Sequence, residues 1–488
     1  MKKIIVLIAI LSSSLFIGSC EKIIDIDPVT IIPNDIVIES VADLDAVRNG
    51  MYDKMQGGNV LGGNGVSYAE LLAQDTQVDE TKDEVAQPFR LLEVYKHITS
   101  VQITALRDMW RDTYNAINVA NIVLSAIDDE TSSYNQNLQK DPNFTDQVKD
   151  QYRGEALLAR AILHFELLKF WSSPYDINNA GNNTQAGVVL RTAPTLSGPD
   201  GLSKARSTVE ECFTQIIADL QAAEQSLEQA NVPTSKAYGS SLAATAFLAR
   251  VYFQVGKNTE AAAAADKVIQ SGKFALNADV KTAFQTKGFN ITSEVIMQVV
   301  NLGNDGSNAL SFRFQSNAAP LFGCSSLLFN TYSEVADLRR QNWFAEGPNN
   351  RVLVTKQDQI GVGNNNLILI RLAEMHMVRA EANFMNNANL DQVLESYNAI
   401  RSRANASTLT AIPANNFLRT LRSERRREMA FEGDRYNQIR RLFAADIDNN
   451  GVLDALARFD VQGNACELLF KIPQEEIAGT PDIEQNDC

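Results

Sequence analysis

Two groups of residues in this chain have types and spacings that could do chemistry. The first is the thiol of Cys20. It follows Gly18 and Ser19, and ahead of them lie Lys2, Lys3 and the apolar stretches Ile4–Ile10 and Leu11–Ile17, the second interrupted by three serines. A positive n-region, a short apolar core and small residues at a cut site make a secretory signal. A thiol left at the new N-terminus could carry acyl lipid. The second group is Asp446, Asp448, Asn450, Gly451 and Asp454. These fall at positions 1, 3, 5, 6 and 9 of a calcium loop, but Ala457 stands at position 12, where a bidentate glutamate is wanted. The run reads as a turn rich in Asp and Asn.

Little else points to catalysis. The histidines are His97, His164 and His376, and none sits in a ligand spacing. His164 and His376 lie inside helical patterns and are expected in the core. No Gly-x-Ser-x-Gly elbow is present. Carboxylates are plentiful, but a glycosidase pair is recognised by its separation in space. Cys212, Cys324, Cys466 and Cys488 match no zinc pattern. Cys466 and Cys488 could form a disulfide that staples the C-terminal tail, and Cys212 reads as a small buried hydrophobe. No metal, cofactor or catalytic residue is therefore expected. The net charge of −15, with no basic stripe, argues against nucleic acid and against electrostatic binding to an anionic membrane.

Cys20 with its leader resembles the lipobox of bacterial lipoproteins. Residues 1–19 would be the signal peptide and residues 20–40 a lipidated, extended tether. Glu21, Asp25 and Asp27 resemble surface-export signals of Bacteroidota lipoproteins. More than one acyl chain holds a protein firmly to a membrane, and no later stretch is long and apolar enough to span one.

The elements that would position any site are helices. Leu44, Val47 and Met51 share a face from Val41 onward, and the glycine-rich run from Gly57 to Gly65 reads as a loop. Trp110, Tyr114, Ile117, Ala120 and Leu124 form a helical stripe, as do Leu158, Ala161, Ile162, Phe165 and Leu168. Ala156-Leu-Leu-Ala-Arg160 recurs as Ala246-Phe-Leu-Ala-Arg250. The second copy continues through Tyr252, Gly256 and Ala261 at tetratricopeptide spacing. A looser copy runs from Leu372 to Phe384 and on through Leu394, Tyr397 and Ile400. Glu294–Val300 is the best strand, and sheet is expected only around residues 290–370. Residues 303–366 read as a long, Gly/Asn/Ser-rich loop region, the kind that tends to carry function.

The most specific pattern lies in the C-terminal quarter. Arg371-Leu-Ala-Glu-Met-His-Met-Val-Arg-Ala-Glu-Ala382 is followed by Tyr397-Asn-Ala-Ile-Arg-Ser-Arg-Ala404. Glu424-Arg-Arg-Arg-Glu-Met-Ala-Phe-Glu-Gly-Asp-Arg-Tyr436, Lys471-Ile-Pro-Gln-Glu-Glu-Ile477 and Gln485-Asn486 come next. With Trp110, Tyr114, Asn121, Gly154 and Arg160 upstream, this order resembles the RagB/SusD family of outer-membrane nutrient-binding lipoproteins. By spacing alone the charged residues are structural: Arg425, Glu428 and Glu432 can pair along one helix face, and Gly433 can end the helix.

The resemblance implies an all-α, SusD-like fold over residues 41–488, with tetratricopeptide-like helix pairs, long loops and a few short strands. It implies a lipid-anchored protein on the cell outer membrane, exposed at the surface. Such a protein captures an oligosaccharide or peptide and passes it to a SusC-like TonB-dependent transporter, without catalysis. A lipid-anchored repeat-type module that binds another protein is the alternative, and a lipid-anchored glycosidase is a third reading. Family sites lie on loops, where aromatic faces cover sugar rings. That directs attention to Phe89, Arg90 and Tyr95 in one loop and to Phe322, Tyr332, Asn342 and Trp343 in another. Trp171 is expected to pack internally.

Overall fold

A computed structural model describes residues 38–81, 89–196, 204–231, 236–302, 308–317, 320–358, 365–443 and 468–486. Cys20 with its leader, the Asp446–Asp454 turn, Cys466 and Cys488 lie outside them. Described residues within 38–194 and 204–486 pack as one body.

The described residues begin with α1 (Val41–Gln56), α2 (Asn64–Leu72), β1 (Thr76–Val78), α3 (Leu91–Tyr95), α4 (Thr104–Asp128), α5 (Ser133–Leu138) and α6 (Asp146–Trp171). They continue through α7 (Val209–Ala230), α8 (Ser241–Gln254), α9 (Asn258–Gln270), β2 (Val295–Val299), α10 (Ala309–Phe314), β3 (Phe322–Cys324), α11 (Ser326–Phe329) and α12 (Leu338–Asn342). Then come β4 (Phe344–Glu346), β5 (Val352–Val354), β6 (Leu367–Arg371), α13 (Leu372–Met385), α14 (Leu390–Arg403), α15 (Phe417–Glu428), α16 (Asp434–Phe443) and α17 (Gln474–Gly479).

Local chemistry starts the helices. Ser40 and Asp43 form a capping box on α1, and Thr208 and Glu211 form another on α7, each satisfying backbone N–H groups that a helix start leaves open. The helices then stack in sequence: α1 on α4, α4 on α6, α6 on α7, α7 on α8, α8 on α9, α9 on α13, and α13 on α14 and α15. This is the repeat stacking expected from the Ala–Arg motifs, in which each unit buries the face its neighbour cannot cover alone. The two motif arginines do equivalent work. Arg160 on α6 donates to both oxygens of Asp219 on α7 at 2.8 and 2.7 Å. Arg250 on α8 donates to both oxygens of Glu374 on α13 at 2.8 and 2.6 Å. Gly154 lets α6 and α7 meet closely, since a Cβ there would lie 2.5 Å from Leu227 Cγ.

Some inner faces differ from the periodic reading. On α1 the buried residues are Leu44, Arg48, Met51 and Met55, while Val47 is only half-buried. Arg48 takes the inner position because Glu155 receives it through Nε and Nη2 at 2.7 and 2.9 Å. On α14 Val393, not Leu394, joins Tyr397 and Ile400 inside.

The sheets are small and antiparallel. One has the order β1-β3-β5-β4 and the other pairs β2 with β6. β1 falls outside the window expected for sheet. Three residues carry too little alternation to read, and its partner lies about 250 residues away in sequence, a pairing no local pattern can encode. The region 303–366 contributes α10, α11 and α12 among its loops.

The charged C-terminal motif bridges elements rather than running along one helix. Arg425 pairs with Asp434 at 2.6 Å, not with Glu428. Glu428 instead receives Arg371 from β6 at 2.8 Å, Arg339 from α12 at 3.0 Å, and Arg403 from α14. Glu432 receives Arg371 and Lys356, each at 2.6 Å. Helix α15 ends at Glu428, and Gly433 follows at φ +77° just before α16. The tail closes on the end of α6. The Phe470 ring stacks on Phe170 at 5.1 Å, Trp171 Nε1 donates to Lys471 O at 3.2 Å, and Asn486 Nδ2 donates to Phe470 O at 2.8 Å. Trp171 is fully buried, in the packing role expected for it.

Buried carboxylates set a pH dependence. Burial raises Glu70, with Asp75 adding to it, to about 8. Burial also opposes ionisation of Glu424 and Glu381, but their arginine partners outweigh it and hold both at about 2. The two lowered groups contribute stability that is present above their unfolded pKa and lost as pH falls from about 4.5 towards 2. Glu70 acts oppositely: its contribution is complete below about 4.5 and lost as pH rises through about 8. His164 and His376, which burial pulls down to about 3, add stability as pH rises from about 3 to 6.5 and outweigh Glu70 there. The expected melting profile therefore rises from pH 2 to about 6.5 and declines only between there and about 8. Glu70→Gln should remove that decline and steepen the rise above pH 4.5; wild-type and variant profiles of the same shape from pH 4.5 to 8 would contradict the raised Glu70.

Candidate functional site

Three of the seven aromatic-loop candidates are not on the surface. Trp343, Phe322 and Tyr332 are essentially fully buried. Trp343 follows α12 directly; its Nε1 donates to Val280 O at 3.1 Å, Phe284 meets its ring edge-on at 6.4 Å, and Lys356 Nζ sits 4.0 Å from the ring centroid. Tyr332 Oη donates to Arg427 O at 2.7 Å, and Phe322 meets Phe314 edge-on at 5.2 Å. The large flat side chains in this irregular stretch are buried in the interior, so none of the three is a platform for a ligand. Asn342 is exposed, but its Nδ2 donates to Leu338 O at 2.8 Å, at the end of α12.

Phe89, Arg90 and Tyr95 are half-buried around α3. Arg90 pairs with Glu93, and Phe89 lies under the Arg313 guanidinium at 4.8 Å. The seven candidates therefore divide between a buried core and two separate stretches of surface.

A groove that the sequence did not single out runs beside the C-terminal half of α1. One part is a cleft of about 320 Å³ lined by Asn49, Tyr52, Tyr238, Phe289, Gln298 and Leu302, among others. Phe289 is 63 % and Leu302 46 % exposed, high values for side chains of this kind. Tyr52 and Tyr238 meet edge-to-face at 5.0 Å and are held firmly. Tyr52 Oη donates to Glu155 at 2.8 Å and accepts from Gly239 N at 2.8 Å, while the Arg48 guanidinium lies 4.5 Å from the Tyr238 centroid. Strand β2 floors the cleft, and its register with β6 is irregular on both sides of Met297. Such irregularities re-aim side chains. Next along the strand, Gln298 is buried, and among the described residues neither end of its side-chain amide has a hydrogen-bond partner.

The cleft shares Asp53 and Gln56 with a second, polar hollow of about 450 Å³. Asn59, Asp112, Asn115 and Asn301 line it. Its groups are pre-set: Gln56 Nε2 donates to Val300 O at 2.9 Å, and Asn59 Nδ2 donates to Asp112 at 2.8 Å. Aromatic and apolar faces on one side, with amides and carboxylates on the other, suit a ligand having both C–H faces and hydroxyls. Phe289 carried one legible sign, an aromatic placed between Gly288 and Asn290 in a turn. Tyr52, Tyr238 and Gln298 carried none, since their meeting depends on the tertiary fold.

His164 and His376 are core residues. Burial pulls His164 and His376 down to about 3, so both are neutral at ordinary pH. His164 donates from Nδ1 to Arg160 O at 3.0 Å and accepts Arg191 N at Nε2 at 3.3 Å. Among the described residues no group of His, Cys, Asp and Glu could hold a metal ion, and no helix is long and apolar enough to cross a membrane.

Comparison with known proteins places this geometry in context. The family described as "Starch-binding associating with outer membrane" matches residues 25–253, and the SusD family matches residues 330–488. A curated relative, SusD-like protein P38 of Formosa agariphila, is 25% identical over 280 residues. That match takes in 57% of this chain and 48% of the relative, so the chain spans about half the relative's length. A SusD superfamily crystal structure from Bacteroides thetaiotaomicron superposes with a TM-score of 0.76 at 22% identity, over 92% of this chain and 100% of that one. A laminarin-binding SusD-like protein superposes at 0.70 with 19% identity, over 91% and 98% of the respective chains. At these identities the solved structures establish the shared fold.

Proposed function

The chain belongs to the SusD family, and on that footing we propose that it captures an oligosaccharide in the groove beside α1 and hands it to a SusC-like TonB-dependent transporter. One observation carries the choice of site: exposed Phe289 and Leu302 stand with the braced Tyr52–Tyr238 pair on one wall of a cleft whose other end is lined by amides and carboxylates. Sugar rings present C–H faces to the first set and hydroxyls to the second. The Gln298 amide lies buried just beneath the cleft and has no partner for either end among the described residues. Phe89, Arg90 and Tyr95 form a second candidate contact patch at α3. The laminarin-binding neighbour supports a glycan as the ligand class.

The proposed setting is the outer-membrane surface, with the protein anchored through lipid on Cys20. The family description, which associates its members with the outer membrane, supports this placement. The protein acts in this reading by binding alone.

Groove variants test the proposal. Tyr238→Ala and Phe289→Ala should each weaken oligosaccharide binding by about 1–3 kcal/mol, roughly one to two decades in Kd. Phe289→Ala should leave the melting temperature nearly unchanged, because that ring is mostly exposed. Isothermal titration with a bound oligosaccharide reads both variants. Unchanged affinity in both would move the site away from α1.

A further inference from the structure

The described part of the molecule is dense with arginines, and almost all of the buried ones face a carboxylate or a backbone carbonyl. Arg313 on α10 does not. It is 3 % exposed, and among the described residues its buried Nη1 has no hydrogen-bond partner and no carboxylate pairs with it. Its near neighbours are rings: the Phe89 centroid at 4.8 Å and the Phe322 centroid at 5.9 Å. Of its three nitrogens only Nη1 is sealed from solvent. Burial pulls Arg313 down to about 10. Among the described residues Ser311 Oγ on the same short helix and the Tyr68 hydroxyl on α2 are likewise buried and unpartnered.

Such an arrangement is costly for a folded protein. The two donors on Nη1 go unused, and a buried cation without a counter-charge is unfavourable. Two aromatic faces attract the cation but accept none of its hydrogen bonds. A planar guanidinium fits the paired oxygens of a carboxylate or a sulfate better than any other common partner.

We infer that Arg313, with the Phe89 ring beside it, forms a receptor for an oxyanion carried by the ligand, a carboxylate or a sulfate ester. That the oxyanion belongs to an acidic polysaccharide fragment rests on the glycan-capture reading. The anion site itself rests on Arg313. An exposed apolar ring, Phe312 at 55 %, adjoins it in sequence and could meet a ring that bears the charged group.

The test uses the whole protein and three probes: sodium sulfate, sodium glucuronate and neutral glucose, with sodium chloride at matched ionic strength. Sulfate or glucuronate should raise the wild-type melting temperature, and whichever does so more strongly identifies the oxyanion. Glucose should not. Arg313→Met should melt no lower than wild type, because it removes an unpaired charge, and should lose the anion response beyond the general salting effect of sulfate. Arg313→Lys keeps a charge but not the fork, and its anion affinity should fall at least tenfold. Equal anion responses in wild type and both variants, no response in any of them, or an Arg313→Met variant that melts well below wild type would overturn the inference. Titration with one neutral and one uronate-bearing oligosaccharide then separates the two readings. Binding of the neutral sugar with no anion response leaves groove capture standing without the receptor. An anion response with neither sugar bound leaves the receptor standing without glycan capture.

Discussion

Glu428→Gln should cost about 3–5 kcal/mol of unfolding free energy, the range seen when one partner of a buried ion pair is removed. That is a large part of the 5–15 kcal/mol typical of a folded domain. Glu428 is fully buried and receives three guanidinium groups, from Arg339, Arg371 and Arg403. Burial alone would raise its carboxyl, but the three cations overcome this and hold it far below the usual range. Glutamine keeps the shape and loses the charge. Three buried cations would then share Glu294, Glu424 and Glu432 with their existing partners. The pairs tie β6, α12 and α14 to the end of α15, so the loss falls on the junction between the helical stack and the loop region. Urea unfolding at pH 7 measures it. A change under 1 kcal/mol would mean that the cluster is solvated and that the described burial is wrong.

Trp343→Ala should cost a similar amount, about 3–5 kcal/mol, as truncation of a large core aromatic does. The indole is fully buried, donates to Val280 O, and covers Lys356. Burial already draws the Lys356 ammonium down to about 8 despite Glu432 beside it. Opening a cavity there would admit water to that ammonium. Glycan affinity of the fraction that remains folded should not change, because the ring is no part of the surface. Thermal unfolding and binding measured on the same variant separate the effects. A variant that melts normally but loses ligand would restore Trp343 to the binding surface.

These two residues show what could be read from the chain and what could not. The helical stack was legible because its inner faces repeat at helical spacing, and because Ala156–Arg160 and Ala246–Arg250 carry the same small residues and the same bridging arginine. The charged C-terminal motif was legible as structural, but its partners were not. Arg425 finds Asp434 across a turn, and Glu428 finds arginines from three other elements, choices made by the tertiary fold. The candidate site was the least legible part. In a stretch without periodicity, an aromatic such as Trp343 looks the same whether it faces solvent or the interior. The groove residues come from α1, the segment before α8, the turn before β2 and β2 itself. No spacing links Tyr52 to Tyr238 or Phe289. Arg313 was hidden for a different reason: its distinction is a missing partner, which only the packed structure can reveal.

The central claim is that this protein holds a glycan in the α1 groove. Affinity electrophoresis of the detergent-solubilised protein through gels containing laminarin, starch or a uronate-bearing polysaccharide tests it most directly. Wild type should be retarded by at least one polysaccharide, and a Tyr238→Ala/Phe289→Ala double variant with an unchanged melting profile should run free in the same gel. Wild-type protein that runs free in every gel, or a double variant retarded as strongly as wild type, would contradict it.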